Sequence, residues 1–97
     1  MPRINWSDRA LQDVIRLYDF LASQSVDAAT RAVSVIRKGV KVLSRHPEIG
    51  RPVEGALLEL REWIIEFGQG AYIVLYHYDG KQVVILAIRH GREIGYD

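Results

Sequence analysis

Cysteine is absent from the 97-residue chain, which excludes disulfide staples, thiolate chemistry and zinc sites built on cysteine. An excess of either charge is also absent. Thirteen Lys and Arg against twelve Asp and Glu leave a net +1, so bulk charge does not mark a nucleic-acid binder. No apolar run approaches about 20 residues, so no membrane span is expected. The first residues, MPRINWSDRALQD, lack an apolar secretion segment, and a cytoplasmic protein is expected. A phosphate-cradling glycine loop, an HExxH motif and a Ser-His-Asp grouping are missing. His46, His77 and His90 fall on different predicted elements, so no metal and no cofactor is expected. Repeats, low-complexity tracts and linkers are missing as well, which leaves one domain over residues 1–97.

What is present suits a folded domain. Hydrophobic residues make up 48% of the chain and charged ones 26%, too apolar a mixture for disorder. A chain this short buries only about two-thirds of its unfolded surface, so its core is thin enough for a partner to complete. Arg3–Trp6 reads as a short strand. Ser7 is an N-cap signal and Asp8 favours the positive helix end. A helix is predicted to about Ser23, with an apolar stripe of Leu11, Val14, Ile15, Tyr18, Leu21 and Ala22. Ser25 or Asp27 caps a second helix to about Arg45, with Ala29, Ala32, Val33, Ile36, Val40 and Leu43 as its stripe. Pro47 stops it. Residues 46–58 (HPEIGRPVEGALL) read as an ordered loop rather than a strand. Leu60–Phe67, Tyr72–Tyr78 and Val83–Arg89 read as strands. Asp79-Gly80 predicts a two-residue hairpin with positive φ at both positions. The expected fold is therefore α+β and two-layered. It has an N-terminal strand and an antiparallel helical hairpin packed on a mainly antiparallel sheet of about four strands.

Register decides which residues share a face. With Tyr78 opposite Lys81 and a three-residue loop at 68–70, one face collects Trp63, Ile65, Ile73, Leu75, Val84, Leu86 and Ile88. Being almost purely aliphatic, it is expected to receive the helices. The other collects Glu62, Ile64, Glu66, Tyr72, Val74, Tyr76, Ile85, Ala87 and Arg89, and is expected to be an open docking face.

Two polar constellations stand out. Arg31, Lys38 and Arg45 are seven residues apart and line one edge of the second helix. A solvated face is the simpler account of them, an electrostatic patch the alternative. The last strand then runs into Arg89-His90-Gly91-Arg92-Glu93-Ile94-Gly95-Tyr96. Arginine can hold phosphate, histidine can move a proton and tyrosine can stack on a base. Taken alone, the run reads as a tail with structural Arg–Glu pairing. Glu62 or Glu66 as a general base is the weakest of these ideas.

Over essentially its whole length the sequence resembles the RelE/ParE superfamily of small bacterial toxins, closest to the ParE-like, plasmid-stabilisation branch. The stretches that carry the resemblance are INWSDRALQDVIRLYDFL, HPEIGRP, LREWIIEFGQGAYIVLYHYDG and VVILAIRHGREIGYD. It implies a growth-inhibiting toxin of a type II toxin–antitoxin system, bound by a cognate antitoxin and meeting operator DNA only through it. It also implies one of two activities, non-enzymatic poisoning of DNA gyrase or cleavage of mRNA on the ribosome. The nuclease pattern transfers poorly. Its second-strand lysine positions fall on Ile64 and Glu66 and its third-strand arginine on Ile73. His90, Arg92 and Tyr96 remain as catalytic candidates. Arg61, Tyr72, Tyr76, Arg89, His90, Arg92 and Tyr96 are the expected target- or antitoxin-binding residues. An added strand and an amphipathic helix from the antitoxin are expected to cover the sheet edge and the helix hairpin.

Overall fold

A computed structural model describes residues 1–96. Ser7 is extended and accepts the Ala10 N–H through its hydroxyl, and α1 (Asp8–Ala22) starts there. Ser25 does the same for Ala28 at the start of α2 (Val26–Lys41), so serine and not Asp27 is the cap. The second helix stops at Lys41 and tightens into a 3₁₀ turn, Val42–Ser44. Arg45 thus lies beyond the helix that carries Arg31 and Lys38, where a helix running to about Arg45 was predicted.

The strands are β1 (Arg3–Trp6), β2 (Arg51–Pro52), β3 (Leu60–Phe67), β4 (Gly70–Tyr78) and β5 (Gln82–His90). They form a five-stranded sheet in the order β1-β5-β4-β3-β2. Only β1 runs parallel to its neighbour, β5. The extra strand, β2, lies inside the segment read as a loop. It is two residues long and pairs with Arg61 and Glu62.

Both hairpins differ from the expected geometry. The β3–β4 turn holds two residues, since Phe67 pairs with Gly70. That places Ile65 opposite Tyr72 and Trp63 opposite Val74, flipping β4 relative to β3. At the β4–β5 turn Tyr78 pairs with Val83, and the Asp79 carboxylate accepts the N–H groups of Lys81 and Gln82, each at 2.8 Å. Those bonds hold the Asp79 carboxyl below its ordinary pKa. Gly80 alone takes positive φ, +92°, so the turn centres on Gly80-Lys81 as a glycine-first hairpin does. A β-bulge then leaves Leu86 without a partner, between the pairs Tyr76–Ile85 and Leu75–Ala87. It brings Ile88 to the side of Val83 and Ile85.

The helices therefore cover Ile65, Tyr72, Val74, Tyr76, Val83, Ile85 and Ile88, together with Ala10, Leu17, Ala32, Ile36 and Val40. Tyr72 and Tyr76, expected on the open face, are 3% and 0% exposed. Aliphatic purity was the wrong criterion. A tyrosine can enter a core when its hydroxyl is satisfied, and the Tyr76 hydroxyl donates to the Pro47 carbonyl at 2.8 Å and accepts the Gly50 N–H at 2.9 Å. Gly50 permits this approach, because a Cβ there would sit 2.7 Å from the Tyr76 ring.

The N-terminal half of α1 docks on the bulge. Buried Asp13 accepts the Ile88 N–H at 2.9 Å, Ser7 Oγ donates to the Leu86 carbonyl at 3.1 Å, and Arg9 and Arg16 flank Asp13. The price of this docking is a rotated helix: Ala10, Asp13 and Leu17 face inward, while Leu11 and Ile15 of the predicted stripe are 49% and 60% exposed.

Candidate functional site

The open face of the sheet is built from the alternate residues of β3, β4 and β5. Pairing aligns Ile64, Ile73 and Arg89 in one row across it. The adjacent row is Glu62, Leu75 and Ala87. After β5 the chain turns back, with the Gly91 N–H donating to the Ala71 carbonyl at 2.8 Å. Tyr96 returns to this face and donates to Glu62 Oε2 at 2.5 Å. The Arg89 guanidinium lies 5.2 Å from the Tyr96 ring centroid, a cation–π distance, and donates to the Glu93 carbonyl at 2.7 Å. Arg51 reaches the other Glu62 oxygen at 3.2 Å. Burial, and then the bond to Glu62, raise the Tyr96 phenol above its ordinary pKa. It stays protonated and acts as a donor.

The other side of the same tail borders a second feature. Leu17, Phe20, Leu21, Phe67 and Tyr72 wall an apolar cleft of about 420 Å³, with Arg16, His90, Arg92 and Glu93 at its rim. The His90 ring meets Tyr72 edge-on at 5.6 Å. Its Nδ1 accepts the Arg92 N–H at 3.1 Å, which places any ring proton of the neutral form on Nε2. Glu93 clamps the turn. Its carboxylate accepts the His90 N–H at 2.7 Å and meets Arg16 at 2.7 Å. Burial alone would raise the Glu93 pKa, but these two partners outweigh it and hold the carboxyl below its ordinary range.

The expected site residues thus separate into three places. Arg89 and Tyr96 meet on the open face. His90 and Arg92 border the cleft, so the His90/Arg92/Tyr96 set does not converge on one point. Arg61 and Tyr76 hold the 47–50 loop, Arg61 through bonds of 3.0 and 2.7 Å to the Glu48 and Gly50 carbonyls. Arg31 pairs with Asp27 at 3.1 Å on the exposed helix surface, where such pairs contribute little. Lys38 is exposed, and with Arg37 and Lys41 it borders a shallow groove on α2. Among the described residues, no group of three His, Asp or Glu side chains could hold a metal ion, and no helix is long and apolar enough to cross a membrane.

Arg51 and Arg16 were missed by the sequence reasoning, and Glu93 entered it only as the acid of the C-terminal run. The Glu93 position carried a usable signal, an acid three residues after the last strand residue. Arg16 and Arg51 carried none, because their partners are 77 and 11 residues away.

A family model described as "ParE toxin of type II toxin-antitoxin system, parDE" matches residues 4–95. The chain belongs to the ParE toxin family. It is accordingly a toxin of a type II toxin–antitoxin system, and the family implies an antitoxin as its partner. Toxin RelE3 of Caulobacter vibrioides is 30% identical over 93 residues, covering 96% of this chain and 98% of the relative. Toxin RelE1 of the same organism is 34% identical over 87 residues, covering 90% of each. A solved chain from "Chromosomal ParDE TA system from P. aeruginosa" superposes with a TM-score of 0.78 at 26% identity, covering 93% of this chain and 96% of that one. The two-layer α+β architecture of this ParE-family chain is shared with that neighbour.

Proposed function

We propose that the chain arrests growth by poisoning DNA gyrase rather than by cutting RNA, and that its antitoxin relieves the arrest. The observation that carries this reading is the row Ile64–Ile73–Arg89. Cleavage of a phosphodiester needs donors and cations around the charge that develops on phosphate. Here two isoleucines occupy the middle of the face, and Glu62 engages both Arg51 and Tyr96. The protein acts in the cytoplasm on this reading, where gyrase is.

Induction of the chain in bacteria, with gyrase supercoiling and mRNA integrity followed together, tests the proposal. Loss of supercoiling with intact transcripts is expected. Codon-positioned cleavage of translated mRNA with gyrase untouched would overturn it. The nuclease reading keeps specific support of its own: Arg89 beside Tyr96, and relatives named RelE. It requires that His90→Ala or Arg92→Ala abolish cleavage.

The antitoxin, on the same proposal, covers the helix hairpin and the outer edge of β1. Ile4, Trp6, Leu11, Val14, Ile15 and Val40 line a groove of about 590 Å³ there, edged by Arg37 and Lys41. Arg37 and Lys41 have no ion-pair partner among the described residues, so an acidic amphipathic segment matches the groove in both charge and polarity. Higher solubility and melting temperature with the antitoxin present are expected. Identical behaviour with and without it would count against this surface.

A further inference from the structure

We infer that residues 91–96 are a displaceable strap over Arg89, and that the surface beneath them receives a carboxylate carried between apolar side chains on a partner polypeptide. The inference deepens the reading above, in which the target is a protein and not RNA, and rests on it for the class of partner.

Three observations carry it. The first is an orphaned donor. The Nε–H of Arg89 is buried without a hydrogen-bond partner, the one buried side-chain nitrogen or oxygen left so among the described residues. The rest of the guanidinium is answered only by neutral groups. Its Nη1 donates to the Glu93 carbonyl at 2.7 Å and the His90 carbonyl at 3.4 Å, and the Tyr96 ring centroid lies 5.2 Å away. Among the described residues no carboxylate pairs with it. Buried donors are normally bonded and buried charges normally paired, so this cation is under-compensated as it stands. A guanidinium edge with a free N–H is the group that grips a carboxylate through parallel bonds.

The second observation is how the strap is held. Its aliphatic side chain, Ile94, is 97% exposed, and Gly91 and Gly95 bring no side chain. The cover over Arg89 therefore rests on the Tyr96 ring and on polar contacts, those of Tyr96 to Glu62 and of Glu93 to Arg16. A segment with so few apolar contacts opens locally at small cost. Glu62 keeps Arg51 at 3.2 Å when Tyr96 leaves, so opening strands no carboxylate.

The third observation is the floor. Arg89 stands in a row with Ile64 and Ile73, beside Leu75 and Ala87. Ile73 and Ala87 are buried although they lie outside the helix-side core. Lifting the strap bares an apolar floor with one unpaired cation at its edge. A nucleic-acid strand would bring a phosphate at every step and meet Glu62 and Glu66 on the same face. A peptide with one carboxylate among apolar side chains matches the floor and the cation together.

The test uses the isolated full chain and a blocked peptide, Leu-Ser-Glu-Ser-Leu, whose alternate residues put the acid and both leucines on one side when extended. NMR of the Arg89 Nε–H and of the Ile73 and Ala87 amides reads binding directly. Saturable shifts at all three are expected. Glutamine in place of the peptide glutamate should weaken binding at least about tenfold. Arg89→Gln should remove the difference between the two peptides. Strap variants should act in the opposite sense: Tyr96→Phe should tighten binding about fivefold and Tyr96→Ala by more, because the open form becomes more populated. Equal affinity for the two peptides on the unaltered chain overturns the carboxylate site. Unchanged or weaker binding in Tyr96→Ala overturns the strap. Absence of shifts at millimolar peptide, with a ten-nucleotide RNA also silent, overturns this proposal and leaves the gyrase reading standing. An RNA that shifts the Arg89 Nε–H more tightly than the peptide overturns both.

Discussion

The two faces of the sheet are built from the same three strands and bury their residues by different means. On the helix side, side chains from α1, α2 and the sheet interlock, and the Tyr76 hydroxyl buried among them is satisfied twice. On the open side the cover is the segment 91–96, held by polar contacts: Tyr96 to Glu62, and Arg89 and Arg16 to Glu93. Ile73 and Ala87 are 7% and 3% exposed on that side, while Ile64 beside Ile73 is open at 42%. Burial by close packing resists perturbation because every change leaves a cavity. Burial under a tail can be undone by breaking a few hydrogen bonds.

The comparison can be broken most sharply at Tyr76. Tyr76→Ala should cost about 3–5 kcal/mol, the range for deleting a buried aromatic, and should free the 47–50 loop as well. Ile64→Ala on the opposite face should cost less than about 1 kcal/mol. Urea titration of both variants measures the difference, and equal midpoints would erase the distinction between the faces. Asp13→Ala comes next. It leaves the Ile88 N–H without its acceptor inside the fold, for about 2–3 kcal/mol, and should raise amide exchange at the bulge before anywhere else.

Smaller effects are expected on the tail. Tyr96→Phe removes the bond to Glu62 and should cost about 1 kcal/mol. Its signature is faster hydrogen exchange in residues 91–96 with the denaturation midpoint nearly unchanged; a large drop in midpoint would show that the tail belongs to the core. The smallest effect is a pH dependence. Glu93 has a folded-state pKa below its ordinary value of 4.5. Its contribution is therefore fully present above that value and is lost as pH falls from it through the lowered folded pKa. Amide exchange of the His90–Glu93 turn should rise over that acidic window in the native chain, and Glu93→Gln should flatten the rise.

Much of the architecture was legible because local chemistry dictates it. Ser7 and Ser25 announce the helix starts, Pro47 forbids further helix, and runs of β-branched and aromatic residues mark β3 to β5 within two residues of their ends. The fold class needed no more than that order. What failed was parity. One residue fewer in the 68–69 turn and one extra residue at Leu86 each move every later side chain to the opposite face, and neither leaves a mark in composition. The site suffered in the same way. Arg89 and Tyr96 do stand together and His90 and Arg92 do border a cleft, but Tyr72 and Tyr76 went inside and Arg61 became a loop clamp.

The string of residues by itself determined the order of strands and helices, the cation-poor middle of β3 and β4 and the family, because each depends on residue types and their spacing along the chain. Which face the helices cover, whether Tyr96 reaches Glu62 and whether Arg16 reaches Glu93 depend on contacts between residues 34 to 77 positions apart. Turn lengths and a single bulge decide those contacts, and their energies appear only once the layers have closed on each other.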